Sequence, residues 1–401
     1  MLTLLKNANI VCGDSAFKQG EVCDLLLAGG KIVEAGKRID PGNLDIQQVD
    51  LEGRFVAPGL VDGHVHFIGA AGDETYTSKT PEIFMSHFMR GGVTTAVGCL
   101  GFGHGLESVE HLYVKAQALR ADGLSTYIYT GAFYVPSPSI TKSAGMDIAL
   151  FPYVIGVKIA IADPCSSVPS VAEFARASSE AWAAGLQSGK SGAMQVHVGF
   201  HGDPFEFLMK VHEESGIPLT QFIPTHCNWS DNLVALASGY AKKNGYVDYS
   251  TILDGARGSL TSVAASKAVQ QALSAGAPLE KLSLSSDGNV GMPIRDENKV
   301  QHGLYLERVG SLWHEVRALI EGGLELEKAV SLATVNPARR LGLYPQKGII
   351  KVGSDADLIV LNEKHEIERV YVGGKLGLEG GKPKLFSHFE KDIIKESLEI
   401  N

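Results

Sequence analysis

Residues 59–67 read GLVDGHVHF, an apolar run that ends with His64 and His66 one residue apart. On a strand, residues i and i+2 share a face. His64 and His66 then point the same way, with Val65 buried behind them. Two neutral imidazoles on one face are a metal-ligand geometry. Two satisfied polar residues at a strand end would look the same in sequence, so the rest of the chain must decide between these readings.

Seven further strand-like segments follow: TTAVGCL (94–100), STYIYTG (125–131), VIGVKIA (154–160), MQVHVG (194–199), FIPTHC (222–227), YVDYSTI (246–252) and KLSLSSDG (281–288). Helical patterns lie between most of them, such as TPEIFMSHFMRGG and SVPSVAEFARASSEAWAAGL. Eight β segments, each followed by a helix or loop, predict a parallel (β/α)₈ barrel. An open doubly wound sheet is the competing architecture, but no G-x-G-x-x-G follows the first strand. Residues 1–56 and 346–401 read differently, as short strands with turns; LLLAGGKIVEAG is a hairpin signal around Gly29 and Gly30. The two ends are expected to pair as one small β domain, with the barrel of 57–345 inserted between them.

In a parallel barrel the active site lies at the C-terminal ends of the strands. At those ends stand His64 and His66 (first strand), Lys158 (fourth), His197 (fifth), His226 (sixth) and Asp287 (eighth). Lys158 is the least expected, inside the apolar run YVIGVKIAIA. A buried lysine is costly unless it is paired or chemically altered. One such residue is most simply a satisfied polar group in a core. All of them together, at strand ends, point to a metal centre.

Composition narrows the function. The chain has 401 residues, 44% hydrophobic and 20% charged, with a net charge of −9. That balance suits a globular protein of one large and one smaller domain and argues against nucleic acid and anionic membrane as partners. There is no apolar run of about 18 residues, and Lys6 interrupts the segment where a signal peptide needs its apolar core. The five cysteines (Cys12, Cys23, Cys99, Cys165, Cys227) are scattered without C-x-x-C, as expected of reduced thiols in a cytoplasm. Cys227 follows His226 and faces away; it and Cys99 are read as packing.

At this point the residues reach a family. The chain resembles the amidohydrolase superfamily, and within it the isoaspartyl (β-aspartyl) dipeptidases, through APGLVDGHVHFIG, RGGVTTAVGCLG, TGAFYVPSPSIT, VIGVKIAIAD, IPTHCN and LSSDGN. The likeness extends to VNPARRLGL and GSDADLIVL near the C-terminus. It implies a distorted (β/α)₈ barrel with a β-sandwich built from both termini, and a homo-oligomer. It also implies two divalent metal ions, zinc first among the candidates: His64 and His66 for the first, His197 and His226 for the second. Lys158 would be carboxylated and bridge both, and Asp287 would bind the first ion and act as general base. Such ions lower the pKa of bound water and polarise a carbonyl oxygen, which is the chemistry of amide hydrolysis.

In the positions that bind substrate, the chain departs from the dipeptidases. Their substrate-binding glutamate aligns with Asp73, beside Glu74, and their catalytic tyrosine with Phe133, beside Tyr134. Cys165 and Trp229 stand where two arginines grip substrate carboxylates, Phe102 replaces a small hydroxyl residue, and Gly291 belongs to the same group. Lys142 or Arg257 could compensate. Losing two guanidinium forks removes the natural grip on an aspartyl group, and gaining aromatic rings makes the pocket more apolar. The expected activity is therefore hydrolysis of an amide-type C–N bond in a small, less anionic molecule. The alternatives are a true isoaspartyl dipeptidase, a hydrolase of a cyclic amide or lactone, and a non-catalytic relative.

Overall fold

The computed structural model describes residues 2–399 apart from 16, 18–20, 44, 71–75, 104, 254–260, 297 and 299. All eight expected strands form. The first six, Leu60–Val65, Val93–Gly98, Ser125–Gly131, Val154–Ile161, Ala193–Val198 and Phe222–Thr225, lie parallel in one sheet in chain order. Their residues are almost all buried, as befits parallel strands covered on both faces. Helices connect them, framed by local chemistry: Ser170 and Glu173 form a capping box at the start of Val171–Ser188, and Gly189 ends that helix at φ 68°.

The seventh and eighth strands, Val247–Ser250 and Leu282–Ser285, pair with each other as a separate parallel ribbon. The expected single ring of eight is thus six strands plus two. The reason lies in the short sixth, seventh and eighth strands, four residues each, where polar side chains bridge the gaps in the ladders. Cys227 N donates to Asp248 O (3.2 Å) on one side of the ribbon, and His66 N to Gly288 O (2.9 Å) on the other. Buried Asp248 accepts hydrogen bonds from Thr225 Oγ1 (2.8 Å) and Ser283 Oγ (2.9 Å) and pairs with Arg340 Nη2 at 3.0 Å. Asp62 in the first strand accepts Ser286 N at 3.1 Å. Because Arg340 and Asp248 are both buried, truncating one strands the other charge. Arg340→Ala should lower stability by about 3–5 kcal/mol; a variant that unfolds at the parent's urea midpoint would contradict this.

The termini meet in pairing as expected. Val22–Ala28 and Lys31–Gly36 form the hairpin, with Gly29 and Gly30 at φ 57° and 82°, the two left-handed positions of a tight type I′ turn. Leu358–Leu361 pairs antiparallel with Phe55–Pro58, joining the two ends of the chain. Through hydrogen bonds, the described residues of the two ends join in one nine-stranded sheet. It forks at Leu2–Ile10, which shifts register between Leu5 and Ala8. One edge of this strand pairs first with Gln47–Asp50, then with Phe55–Pro58. Leu5, Leu25, Leu27, Val56, Leu358 and Val360, from both arms of the fork, share one core.

Candidate active site

The side chains singled out by sequence converge at the C-terminal ends of the parallel strands. His64 and His66 face one another with ring centroids 5.5 Å apart, and Val65 between them is fully buried in the main core. Lys158 Nζ lies 2.9 Å from His64 Nε2. Asp287 Oδ1 lies 3.1 Å from both His64 Nε2 and His66 Nε2. The His226 ring sits 5.2 Å from that of His64 and 4.6 Å from that of His197. His226 and Asp287 lie just beyond the ends of their strands, at φ 64° and 51°. Left-handed backbone at non-glycine residues is sparsely populated and gathers at functional sites; here it turns two side chains into the centre.

The electrostatics favour ligand forms. Burial holds His64 and His226 well below the ordinary histidine value, and the positive charge of Lys158 adds to this. Burial also lowers His197, outweighing its hydrogen bond to Asp163. These rings are therefore neutral imidazoles, the form that binds metal. For Asp287, burial works upward, but the adjacent His64 and His226 rings and the hydrogen bond with His66 hold the carboxyl well below its usual range. Burial lowers Lys158 toward the neutral amine, and among the described residues no carboxylate lies within ion-pair distance of it.

Donor chemistry fits divalent metal ions. Donor atoms of His64, His226 and Asp287 lie within 4.8 Å of one another, and Nδ1 of buried His66 has no hydrogen-bond partner. Cys99, expected to be packing, is buried with its sulfur within 4.8 Å of His64 and His66 donors. Burial pushes its thiol up to about 12, which keeps it protonated and a poor donor. Cys227 is buried and donates to Pro224 O, away from the centre.

The centre opens into a cavity of about 230 Å³, smaller than sites for drug-sized ligands and suited to a small substrate. Phe102, Phe133, Cys165, Trp229 and Gly291 line it, as expected; Tyr134 is not among its lining residues. Asp73, Glu74 and Arg257 lie outside the described residues, and Lys142 does not reach the lining. Phe133 packs on His197 with centroids 4.5 Å apart. The Trp229 indole donates to Val198 O (3.0 Å) and meets Phe200 edge-on at 5.3 Å. No described lining residue is an arginine. Sequence reading missed Asp163, Phe200, Ile252 and Met292. Asp163 had a signal, an acid just past the fourth strand; Phe200 had the corresponding place past the fifth.

The sequence model of the Amidohydrolase family matches residues 55–377. The fold superposes on the crystal structure of β-aspartyl dipeptidase from the thermophilic, keratin-degrading Fervidobacterium islandicum AW-1 in complex with the dipeptide β-Asp-Leu. The TM-score is 0.87 at 33% identity, covering 96% of this chain and 98% of that one. An L-hydantoinase from Arthrobacter aurescens shares the fold at TM-score 0.67 and 18% identity, covering 96% and 97%. A dihydroorotase of Macrococcus caseolyticus (strain JCSC5402) is 31% identical over 120 residues, 30% of this chain and 26% of the relative. The matched stretch spans about a quarter of that curated relative's length. The chain belongs to the amidohydrolase family, a family of hydrolases, and within it is similar to the β-aspartyl dipeptidases.

Proposed function

We propose that this protein is a binuclear metal-dependent hydrolase that cleaves an amide-type C–N bond in a small molecule with an apolar or aromatic group. The observation that carries the reading is the convergence of His64, His66, Lys158, His197, His226 and Asp287 on one cavity. In this reading the six-stranded sheet and the two-stranded ribbon close as a distorted (β/α)₈ barrel around that cavity. His64 and His66 would hold one ion, and His197 and His226 the other. The amine of Lys158, whose pKa burial lowers, would add carbon dioxide and lose a proton, giving a carbamate anion available as a ligand to the ions. Bound there, two divalent ions, zinc first among the candidates, supply an activated water and a Lewis acid for the carbonyl oxygen. Asp287 accepts the proton of the attacking water and returns it to the leaving nitrogen. Phe102, Phe133, Phe200 and Trp229 shield the reacting group and favour an apolar side chain.

The missing arginines give the reading its test. A bidentate arginine–carboxylate contact contributes ~1.5–3 kcal/mol, or roughly 10–150-fold in affinity. With Cys165 and Trp229 in those places, β-Asp-Leu should be a poor substrate, with kcat/KM under about 10⁴ M⁻¹s⁻¹. N-acyl amides that carry an aromatic group and no carboxylate should be turned over better. Cys165→Arg combined with Trp229→Arg should raise activity on β-Asp-Leu and lower it on the apolar amide. A second reading, a true isoaspartyl dipeptidase gripping its substrate with other residues, is favoured by the 33% identity to such an enzyme. A parent kcat/KM on β-Asp-Leu above that threshold would select it.

A further inference from the structure

Among the described lining residues the cavity holds one carboxylate besides Asp287, that of Asp163, and the proposed chemistry does not use it. Its Oδ2 lies 3.0 Å from His197 Nε2, and its Oδ1 accepts the backbone N–H of Cys165 at 2.7 Å. The backbone is built to bring it there. Ala162, just before it, is at φ 56°. Ala162 O accepts His201 N (3.1 Å), and Gly199 N donates to Ile161 O (3.0 Å). A Cβ at Gly199 would stand 2.2 Å from Ala162 O, so only glycine lets the end of the fifth strand run this close. The His197 ring is thus held twice, on its face by Phe133 and at Nε2 by Asp163. At Nδ1, the other three rings have neutral partners or none at hydrogen-bond distance. His226 Nδ1 meets Ser250 Oγ at 2.6 Å, His64 Nδ1 lies 3.5 Å from Gln195 Nε2, and His66 Nδ1 is unpartnered.

We propose that Asp163 is a positioning residue: it fixes the Nε2–H of His197 so that Nδ1 is the nitrogen presented to a metal ion. The inference rests on the binuclear reading above. Its consequence is an asymmetry: a carboxylate that is not itself a proposed ligand supports the ion held by His197 and His226, and none supports the ion held by His64 and His66. A carboxylate behind a ligating histidine fixes the tautomer and strengthens the ligand, and its loss typically costs 10–100-fold in metal affinity.

Zinc titration of the metal-depleted full chain against a chromophoric chelator reads both affinities without reference to activity. Asp163→Ala should weaken one of two sites about 10–100-fold and leave the other unchanged. Asp163→Asn, whose carbonyl still accepts the Nε2–H without the charge, should fall between. Gly199→Ala, which displaces the loop, should reproduce the alanine effect. The metal-free Asp163 variants should melt at the parent's temperature if Asp163 acts on His197 and not on folding. Parent-like binding of two ions by Asp163→Ala would overturn the inference alone. So would equal weakening of both sites with a lowered melting temperature. Fewer than two ions on the parent would overturn the binuclear reading, and the inference with it.

Discussion

Lys158→Ala binds much less metal than the parent and recovers part of its activity when short carboxylic acids are added: this is the expected result if the lysine carries the bridging carboxylate. The motivating feature is a fully buried amine in Val154–Ile161, a strand buried along its whole length, with no carboxylate at ion-pair distance among the described residues. An ammonium there would bear its full desolvation cost. Burial lowers its pKa, so the neutral amine that reacts with carbon dioxide is accessible. Alanine leaves a gap that a small acid can enter with its carboxylate toward His64. Full metal occupancy and a near-normal rate in the variant would remove Lys158 from the centre.

Asp287→Asn should lose at least ~10²-fold in turnover, the low end of what general acid–base catalysis contributes. Asparagine is the informative substitution because the backbone is left-handed here, at φ 51°, and Asn and Asp both tolerate that region. The side chain keeps its shape, keeps one oxygen toward His64 and His66, and loses only its basicity. Metal content near the parent's, measured alongside, separates loss of the base from loss of an ion. A variant with half the parent rate would mean that another group moves the proton.

Much of this centre could be read from the sequence because its residues violate their surroundings. Histidines, a lysine and an aspartate at the ends of apolar strands conflict with burial unless something binds them, and all of them converge. The period-2 geometry of His64 and His66 survived even though this strand shifts register against its neighbour between Asp62 and Val65. What was not legible depends on backbone detail that side-chain pattern does not encode. His226 and Asp287 looked like strand residues, yet the strands end at Thr225 and Ser285 and the chain turns left-handed beyond them. The six-plus-two division follows from four-residue strands bonded through Thr225, Asp248 and Ser283, and hydroxyl residues in a strand do not announce cross-strand partners. The hairpin Gly291–Arg295 with Gln301–Leu306 was missed because Pro293 argues against a strand; on a two-stranded ribbon it is tolerated. Asp163 escaped notice because an acid in a loop is usually solvated, and only its approach to His197 marks it out.

In the proposed reading, a centre of two metal ions performs the hydrolysis. Elemental analysis of the full-length protein, purified without chelator, tests it most directly when coupled to an assay of amide cleavage before and after metal removal. The account predicts two divalent ions per chain, loss of cleavage when they are stripped, and its return when zinc is restored. Amide cleavage that persists at the parent rate in protein stripped of metal would contradict it.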